Sequence, residues 1–234
     1  MALTPDVKPP PDRLYGRARG HKLRPRQERL LEFALPRLAF PLAAAACPET
    51  AFAAPVTEIW LEIGFGGGEH VLAQAIAHRQ AGLIACEVFE NGICSILSSL
   101  IPEGDEATTP LPENLRLFTD DARILIRVLP DACLSKIFLM FPDPWPKTRH
   151  AKRRFVHPEQ LALLARVLRP GGEWRVASDD PTYQAWVAEV MAAQTLFTVA
   201  PPATIRPDGW PPTRYEAKAL RESRKPLYWS FIRR

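Results

Sequence analysis

The stretch that decides the fold is Thr57–His70, TEIWLEIGFGGGEH, where an apolar run ends in a glycine-rich loop and a helical pattern follows. The glycines Gly64, Gly66 and Gly68 allow the backbone to turn sharply and to approach a ligand closely. A dinucleotide-binding fingerprint, G-x-G-x-x-G, would require glycine at position 69, where this chain has glutamate. The loop therefore predicts a strand–loop–helix unit that faces a ligand. A merely flexible connection is the alternative.

The rest of the chain repeats this order of strand and helix. We expect strands at 57–63, 81–88, 115–119, 135–141, 173–178, 196–200 and 227–232, and helices at 26–38, 69–78, 91–100, 122–129, 158–168 and 181–193. Strands that alternate with helices favour a mostly parallel sheet with helices on both faces. The sequence thus predicts an α/β fold with a seven-stranded, mostly parallel sheet. We expect one domain, 25–234, after a disordered basic leader, 1–24.

The composition is that of a globular protein, with 47% hydrophobic and 24% charged residues among 234. The four cysteines form no Cys-x-x-Cys pair and have no metal-ligand spacing, so we expect no disulfide and no metal. No apolar run of about 18 residues occurs, and the N-terminus lacks the pattern of a signal peptide. We therefore expect a cytoplasmic protein without a membrane segment. No obligate protein partner is evident, and a monomer and a homodimer are both compatible with the sequence.

Positive charge is concentrated in three windows. Residues 13–29, 147–154 and 214–234 hold 19 of the 30 Lys and Arg residues, although the net charge is only +4. A solvated surface is the ordinary explanation of a single run of this kind. Three such runs together favour a polyanionic partner.

Acidic residues follow or end four consecutive predicted strands. They are Glu62, Glu87, Asp121 and Asp143. Ligands of a parallel sheet bind beyond the carboxyl ends of its strands, so these side chains are expected to meet there. Glu87 is placed to accept hydrogen bonds from ribose hydroxyls, and Asp121 to accept one from an adenine amino group. Because none of these strand ends offers a basic grip for phosphate, the pattern favours a nucleoside that carries positive charge, and S-adenosylmethionine fits.

The fourth strand runs into FPDPWPKTRHAKRR at 141–154, and this motif is the most specific in the chain. Together with EIGFGGG (62–68), DDA (120–122), ARVLRPGGEWRVASD (165–179) and TRYE (213–216), it resembles the bacterial tRNA (guanine-N7)-methyltransferases. These are class I methyltransferases that depend on S-adenosylmethionine. The resemblance implies the Rossmann-like fold of that class and transfer of a methyl group to N7 of a guanosine in the tRNA variable loop.

The resemblance also implies roles for individual residues. The residues that it places on S-adenosylmethionine are Glu62, Gly64, Gly66, Gly68, Glu87, Asp121 and Asp143, of which Asp143 is also catalytic. Those that it places on the substrate are Lys147, Asp179, Thr213, Arg214, Tyr215 and Glu216. Those that it places on RNA are Arg149, His150, Lys152, Arg153 and Arg154. The glycine at 67, the SDD at 178–180 and the C-terminal tail depart from the usual family pattern.

The chemistry of guanine N7 narrows the role of Asp143. N7 carries a free lone pair and no proton, so its methylation needs no general base, and alignment with the methyl donor supplies most of the catalysis. Pro144 disfavours helical geometry at Asp143, and Pro142 has a fixed φ and no N–H. We therefore expect a rigidly held carboxylate that positions its ligands and stabilises positive charge.

Three other functions compete with this interpretation. An NAD-dependent dehydrogenase is disfavoured by the missing third fingerprint glycine and by the lack of a base for hydride transfer. A non-catalytic tRNA-binding protein is disfavoured because all four strand-end acids and the glycine loop are present. A methyltransferase that acts on another RNA or on another base atom is the main alternative.

Overall fold

The computed structural model describes residues 18–234. Its strands are β1 (Glu58–Ile63), β2 (Ala81–Cys86), β3 (Leu115–Phe118), β4 (Leu134–Met140), β5 (Leu168–Ser178), β6 (Phe197–Val199) and β7 (Leu227–Arg233). They form one sheet in the order β3-β2-β1-β4-β5-β7-β6. Strand β7 pairs antiparallel with both of its neighbours, and the remaining pairs are parallel. The prediction of a seven-stranded, mostly parallel sheet is confirmed.

The helices follow the predicted alternation. They are α1 (Pro25–Arg29), α2 (Leu35–Leu38), α3 (Glu69–Ala77), α4 (Glu90–Leu100), α5 (Ala122–Val128), α6 (Pro158–Val167), α7 (Pro181–Ala192) and α8 (Arg214–Arg221). A π-helical turn, Leu30–Ala34, joins α1 to α2, so the helix predicted at 26–38 is present as a continuous helical segment. None of the helices within 18–234 is both long and apolar enough to cross a membrane.

Two hydrophobic cores cover the two faces of the sheet. Alternate residues of a strand point to opposite faces. Accordingly, Ile59 and Leu61 of β1 belong to the core that contains side chains of α5, α6 and α7, whereas Trp60 belongs to the core that contains side chains of α3 and α4. Helices therefore lie on both faces, as predicted. The same alternation places Glu62 on the face of Trp60, beside α3.

Three departures from the predicted elements have local causes. Helix α8 was not predicted, although its apolar and charged residues lie on different faces, and neither was the 3₁₀ turn Thr148–Arg153, which has no apolar stripe. Strand β5 begins at Leu168 and not at 173, because Leu168 pairs with Leu134 before an irregularity that brings Glu173 opposite Lys136. All three departures lie outside the strand ends that carry the predicted ligand contacts.

The predicted leader lies partly outside the described residues, which begin at 18. Residues 18–24 form neither helix nor strand. The carbonyl of Ala18 accepts a hydrogen bond from the N–H of Glu90 at 3.0 Å, and Arg19 lies 3.7 Å from the Glu90 carboxylate. This short segment therefore contacts the first turn of α4. The domain limits at 24 and 25 stay a prediction.

Candidate active site

Acidic side chains from three neighbouring strands gather at the carboxyl edge of the sheet. Glu62 lies near the end of β1, Glu87 directly follows β2, and Asp121 follows β3. Burial raises the pKa of the Cys86 thiol at the end of β2, and the charges of these three carboxylates raise it further. The sheet thus brings together carboxylates that are up to 59 positions apart in the sequence.

Glu62 is only 3% exposed and is held by a buried histidine. Its Oε2 lies 2.7 Å from Nδ1 of His70 in the first turn of α3. The other ring nitrogen of His70, Nε2, lies 3.4 Å from the side-chain nitrogen of Gln74, one helical turn further on. The orientation of the Glu62 carboxylate is therefore fixed by a chain of contacts along α3, and one carboxylate oxygen remains for a ligand.

Glu87 is half-buried and accepts three backbone hydrogen bonds. Gly66 N–H donates to Oε2 at 2.7 Å, and the N–H groups of Val88 and Phe89 donate to Oε1 at 2.8 and 3.0 Å. Burial raises the pKa of Glu87, the three N–H groups oppose that shift, and the charge of Asp143 adds to it. Asp143 follows β4, which is the other neighbour of β1, so it lies at the same carboxyl edge of the sheet. Two carboxylate oxygens provide about four acceptor positions, so one remains for a ligand hydroxyl.

The glycine loop joins β1 to α3 with positive φ angles that disfavour other residues. Gly64, Gly66 and Gly68 have φ of +72°, +58° and +88°. A Cβ on Gly64 would meet no atom within 4 Å, whereas a Cβ on Gly68 would lie 2.6 Å from Ile96 of α4. The loop is thus open on its ligand side at Gly64 and packed against α4 at Gly68.

A fourth glycine, Gly92, shapes the same loop from the side of α4. A Cβ at this position would lie 2.4 Å from the carbonyl oxygen of Gly66, a separation that real Cβ atoms essentially never show. Gly92 therefore allows the first turn of α4 to pack directly against the loop that also binds Glu87.

Asp121 begins α5 and has two partners in Arg123. Its Oδ1 accepts the backbone N–H of Arg123 at 3.0 Å as the helix cap, and its carboxylate forms an ion pair with the guanidinium of the same residue. The neighbouring Asp120 is exposed and accepts the N–H of Asp121 at 2.7 Å. The predicted contact of Asp121 with an adenine amino group would therefore have to share this carboxylate with Arg123.

The segment Phe141–Pro146 has no regular structure, as its prolines predicted. Phe141 and Trp145 have φ of +52° and +43°, in the left-handed region that non-glycine residues seldom adopt. Such a conformation costs about 1–3 kcal/mol per residue, so the surrounding contacts must hold it. Between these two residues Asp143 is exposed.

The basic run after this segment divides into an exposed and an inward part. Lys147, Arg149 and Lys152 are exposed, on or next to the 3₁₀ turn. Arg153 places its guanidinium 4.8 Å from the centre of the Trp145 ring, and the ring of His150 meets the same indole edge-on at 5.8 Å. Partial burial, followed by the charges of Arg153, Arg149 and Lys147, lowers the pKa of His150.

Arg154 points into the protein, unlike the exposed members of the run. Its side chain is buried, and its guanidinium donates to the carbonyls of Pro144 and Trp145 at 3.2 and 3.0 Å. It also lies 4.9 Å from the centre of the Trp186 ring on α7. The RNA contact of Arg154 stays a prediction, and its burial sets it apart from the exposed residues of the run.

The predicted substrate residues at 213–216 fall into two pairs. Thr213 caps α8 by accepting the N–H of Glu216, and buried Glu216 accepts hydrogen bonds from Tyr228 and Arg206 at 2.7 and 3.0 Å. These bonds fix the start of α8 inside the protein.

Arg214 and Tyr215 form the second pair and cover the glycine loop. A Cβ on Gly66 would meet the Tyr215 ring at 3.1 Å, and a Cβ on Gly67 would lie 2.9 Å from the Arg214 guanidinium. At the end of β5, Asp179 forms an ion pair with Arg224 just beyond α8. The first turn of α8 thus lies over the loop that connects β1 to α3.

Comparison with known proteins identifies the family. A model of a family described as putative methyltransferase matches residues 56–228. A tRNA (guanine-N(7)-)-methyltransferase from Granulibacter bethesdensis is 64% identical over 97% of this chain and 98% of its own length. One from Rhodospirillum rubrum is 46% identical over 97% of this chain and 90% of its own. The chain belongs to the tRNA (guanine-N(7)-)-methyltransferase family.

A solved structure supports the fold of this family member. The 16S rRNA methyltransferase KamB superimposes with a TM-score of 0.53 at 17% identity, covering 76% of this chain and 89% of its own. At that identity the likeness concerns the fold alone. The predicted Rossmann-like methyltransferase fold and the family resemblance are both confirmed.

Sequence reasoning about this methyltransferase missed two residues of the site. His70 lies within a predicted helix, and only its place in the first turn after the glycine loop could have indicated a partner for Glu62. Gly92 lies in the first turn of a predicted helix, where glycine is unfavourable, and that cost was a signal of close packing. Within 18–234, no group of three or more His, Cys, Asp or Glu side chains could hold a metal ion.

Proposed function

We propose that this chain transfers the methyl group of S-adenosylmethionine to N7 of a guanosine in the tRNA variable loop. The observation that carries the proposal is the exposed Asp143 at the acidic carboxyl edge of the sheet, followed within four residues by an exposed cationic turn. A polyanion bound to that turn would bring its base to the edge of the sheet where the acids meet. The names of the relatives support the choice of tRNA and of N7.

The hydrogen-bond acceptors at this edge of the sheet fit S-adenosylmethionine. Glu87 keeps one acceptor position for a ribose hydroxyl, and Glu62 keeps one oxygen for a donor such as an ammonium group. The open side of Gly64 leaves room for close approach of the ligand to the backbone. We propose Glu62, Glu87, Asp121 and the three loop glycines as the residues that hold it. When bound, S-adenosylmethionine supplies an activated methyl group on a positively charged sulfur.

Asp143 acts by position and charge. N7 and O6 of guanine are acceptors, so a carboxylate does not hydrogen-bond to that edge, whereas guanine N1–H and N2–H₂ are donors. We propose that Asp143 binds either these donors or the ammonium group of the methyl donor. Its charge also stabilises the positive charge that develops on the imidazole ring of guanine. The chain needs no group that removes a proton.

The exposed basic residues supply affinity for the tRNA backbone. We propose that Lys147, Arg149, His150, Lys152 and Arg153 face the RNA. Contacts of this kind fix register and add affinity without selecting a base. Arg214, Tyr215 and Asp179 border the glycine loop and the end of β5, and we propose that they contact the target nucleotide. Thr213 and Glu216 support them by fixing the start of α8.

The remaining expectations belong to the same proposal. We propose that the protein acts in the cytoplasm, which is consistent with a tRNA substrate. We propose that 25–234 act as one domain, that catalysis requires no metal ion and no obligate protein partner, and that a monomer or a homodimer is active.

The test is a methylation assay on an unmodified tRNA transcript with radiolabelled S-adenosylmethionine. We expect label in the tRNA and aniline-sensitive cleavage at a variable-loop guanosine, which is diagnostic of 7-methylguanosine. A matched transcript with adenosine at that position should accept no label. Label at another base atom or in another RNA would instead favour the alternative methyltransferase, and absence of any label would refute the proposal.

A further inference from the structure

Arg154 connects two parts of the molecule that are separate in sequence. Its guanidinium donates to the carbonyls of Pro144 and Trp145, the two residues that follow Asp143. The face of the same guanidinium lies 4.9 Å from the centre of the Trp186 ring, in the second turn of α7. Only 6% of the residue is exposed, so a charged group has been withdrawn from water to make these contacts.

The segment that carries Asp143 has few backbone N–H groups with which to stabilise its own conformation. Pro142, Pro144 and Pro146 have no N–H to donate. At its start, the N–H of Phe141 donates to the carbonyl of Ala177 at 2.8 Å, which attaches the segment to β5. At its end, the two hydrogen bonds from Arg154 satisfy the carbonyls of the two residues that follow Asp143.

The surface that receives Arg154 is itself anchored. The indole Nε1–H of Trp186 donates to the carbonyl of Val156, and the N–H of Val156 donates to the buried Tyr183 hydroxyl at 3.3 Å. The ring of His157 stacks on the Trp186 ring, with centroids 6.0 Å apart. Arg154 therefore links the Asp143 segment to a helix whose position is fixed by several independent contacts.

The geometry points to Arg154 as a positioning residue for Asp143 and not as a contact for RNA phosphate. The inference rests on the proposed function, in which Asp143 must be aligned with the methyl donor and the base. A planar guanidinium can hold two adjacent carbonyls at once, whereas the ammonium of lysine is a single point of charge. A phosphate contact, in contrast, would be served by either side chain.

The experiment compares Arg154→Lys and Arg154→Met with Lys152→Met, a change at an exposed member of the same run. Single-turnover methylation is measured at saturating tRNA, and tRNA affinity is measured over a range of salt concentrations. For both Arg154 variants we expect the rate at saturation to fall by roughly 10- to 100-fold while affinity and its salt dependence are retained, with the smaller loss for lysine. For Lys152→Met we expect the loss to appear in binding, as a weaker affinity for tRNA and a flatter salt dependence.

A second measurement does not depend on activity. Hydrogen exchange of the Phe141 and His150 amides, which donate to the carbonyls of Ala177 and Lys147, should accelerate in Arg154→Lys, while exchange in β4 and α7 stays as in the unaltered protein. Arg154→Lys is expected to fold because it retains the charge and the stem of the side chain. If the unaltered protein methylates no tRNA, the proposed function fails, but the exchange result still decides whether Arg154 holds the segment. Unchanged exchange, or a loss confined to tRNA affinity, would overturn the inference.

Discussion

The imidazole of His70 and the carboxylate of Glu62 lie 2.7 Å apart inside the protein, both almost inaccessible to water. The two residues are eight positions apart, on opposite sides of the glycine loop. The turn made by the loop folds the start of α3 back beside the end of β1, and this is what brings them together. His70 therefore links the conformation of the loop to the orientation of a carboxylate that we propose as a ligand of S-adenosylmethionine.

Replacement of His70 by phenylalanine should weaken both folding and ligand binding. Phenylalanine retains the ring that meets Phe138 at 5.0 Å but leaves the buried Glu62 oxygen without its partner. Loss of a hydrogen bond to a charged or buried acceptor costs about 1.5–3 kcal/mol, and we expect the free energy of unfolding to fall by about that amount. Urea denaturation and calorimetric titration with S-adenosylmethionine measure the two effects. Gln80→Ala, at an exposed position just beyond α3, is the control; equal values for the two variants would contradict the prediction.

Replacement of Gly92 by alanine tests the packing of α4 on the glycine loop. Helix propensity alone predicts stabilisation by about 1 kcal/mol, because alanine is the better helix former. The added Cβ would instead lie 2.4 Å from the Gly66 carbonyl and force the loop away from α4. We therefore expect lower stability and at least tenfold weaker binding of S-adenosylmethionine. A loss of about 1.4 kcal/mol of binding free energy, caused by displacement of the loop, is enough for a factor of ten. Ser99→Ala, on the exposed side of the same helix, should leave the binding of S-adenosylmethionine unchanged. A stabilised Gly92→Ala protein would refute the contact.

The sequence alone was sufficient to predict the sheet and the acidic residues at its strand ends. Apolar strands that alternate with helices specify the layers, and the rule that ligands bind at the carboxyl edge places Glu62, Glu87 and Asp143 at one edge of the sheet. The partners of those acids could not be predicted from the sequence. The side chain that approaches Glu62 depends on how sharply the glycine loop turns. A local pattern can recognise a loop but cannot supply its tertiary contacts.

Helix α8 and the basic run at 147–154 show the same limit. TRYE at 213–216 is itself a capping-box pattern, with threonine before a helix and glutamate three residues later, so the start of α8 was readable in principle. The sequence could not predict that Arg154 turns inward while Lys152 stays exposed, because the members of a basic run look alike until a packing partner is known. The position of Trp186 on α7 decides that difference.

The pH dependence of stability should reveal the buried position of Glu87. Burial raises its pKa in the folded protein above the ordinary value of 4.5, so the folded state holds more protons than the unfolded state in the interval between the two values. Stability then falls as the pH rises through that interval, and the contribution of Glu87 is fully present only below it. Urea denaturation from pH 4 to pH 7 should therefore show that the unaltered protein loses stability relative to Glu87→Gln. The measurement uses protein without S-adenosylmethionine, and parallel curves for the two proteins would contradict the assignment.

The pH dependence of the reaction tests whether Asp143 acts as a base. Guanine N7 has no proton to lose, so single-turnover methylation should be nearly constant from pH 6 to pH 9. His150, beside Trp145, should add no step above pH 7, because its pKa is lowered from 6.5. Asp143→Asn should lower the rate by about 100-fold, the usual cost of losing one electrostatic contact to a developing charge, without changing the shape of the profile. Because Asp143 is exposed, the variant should unfold like the unaltered protein. A rate that rises steeply with pH in the unaltered protein, and not in Asp143→Asn, would make the carboxylate a base and overturn the positioning role.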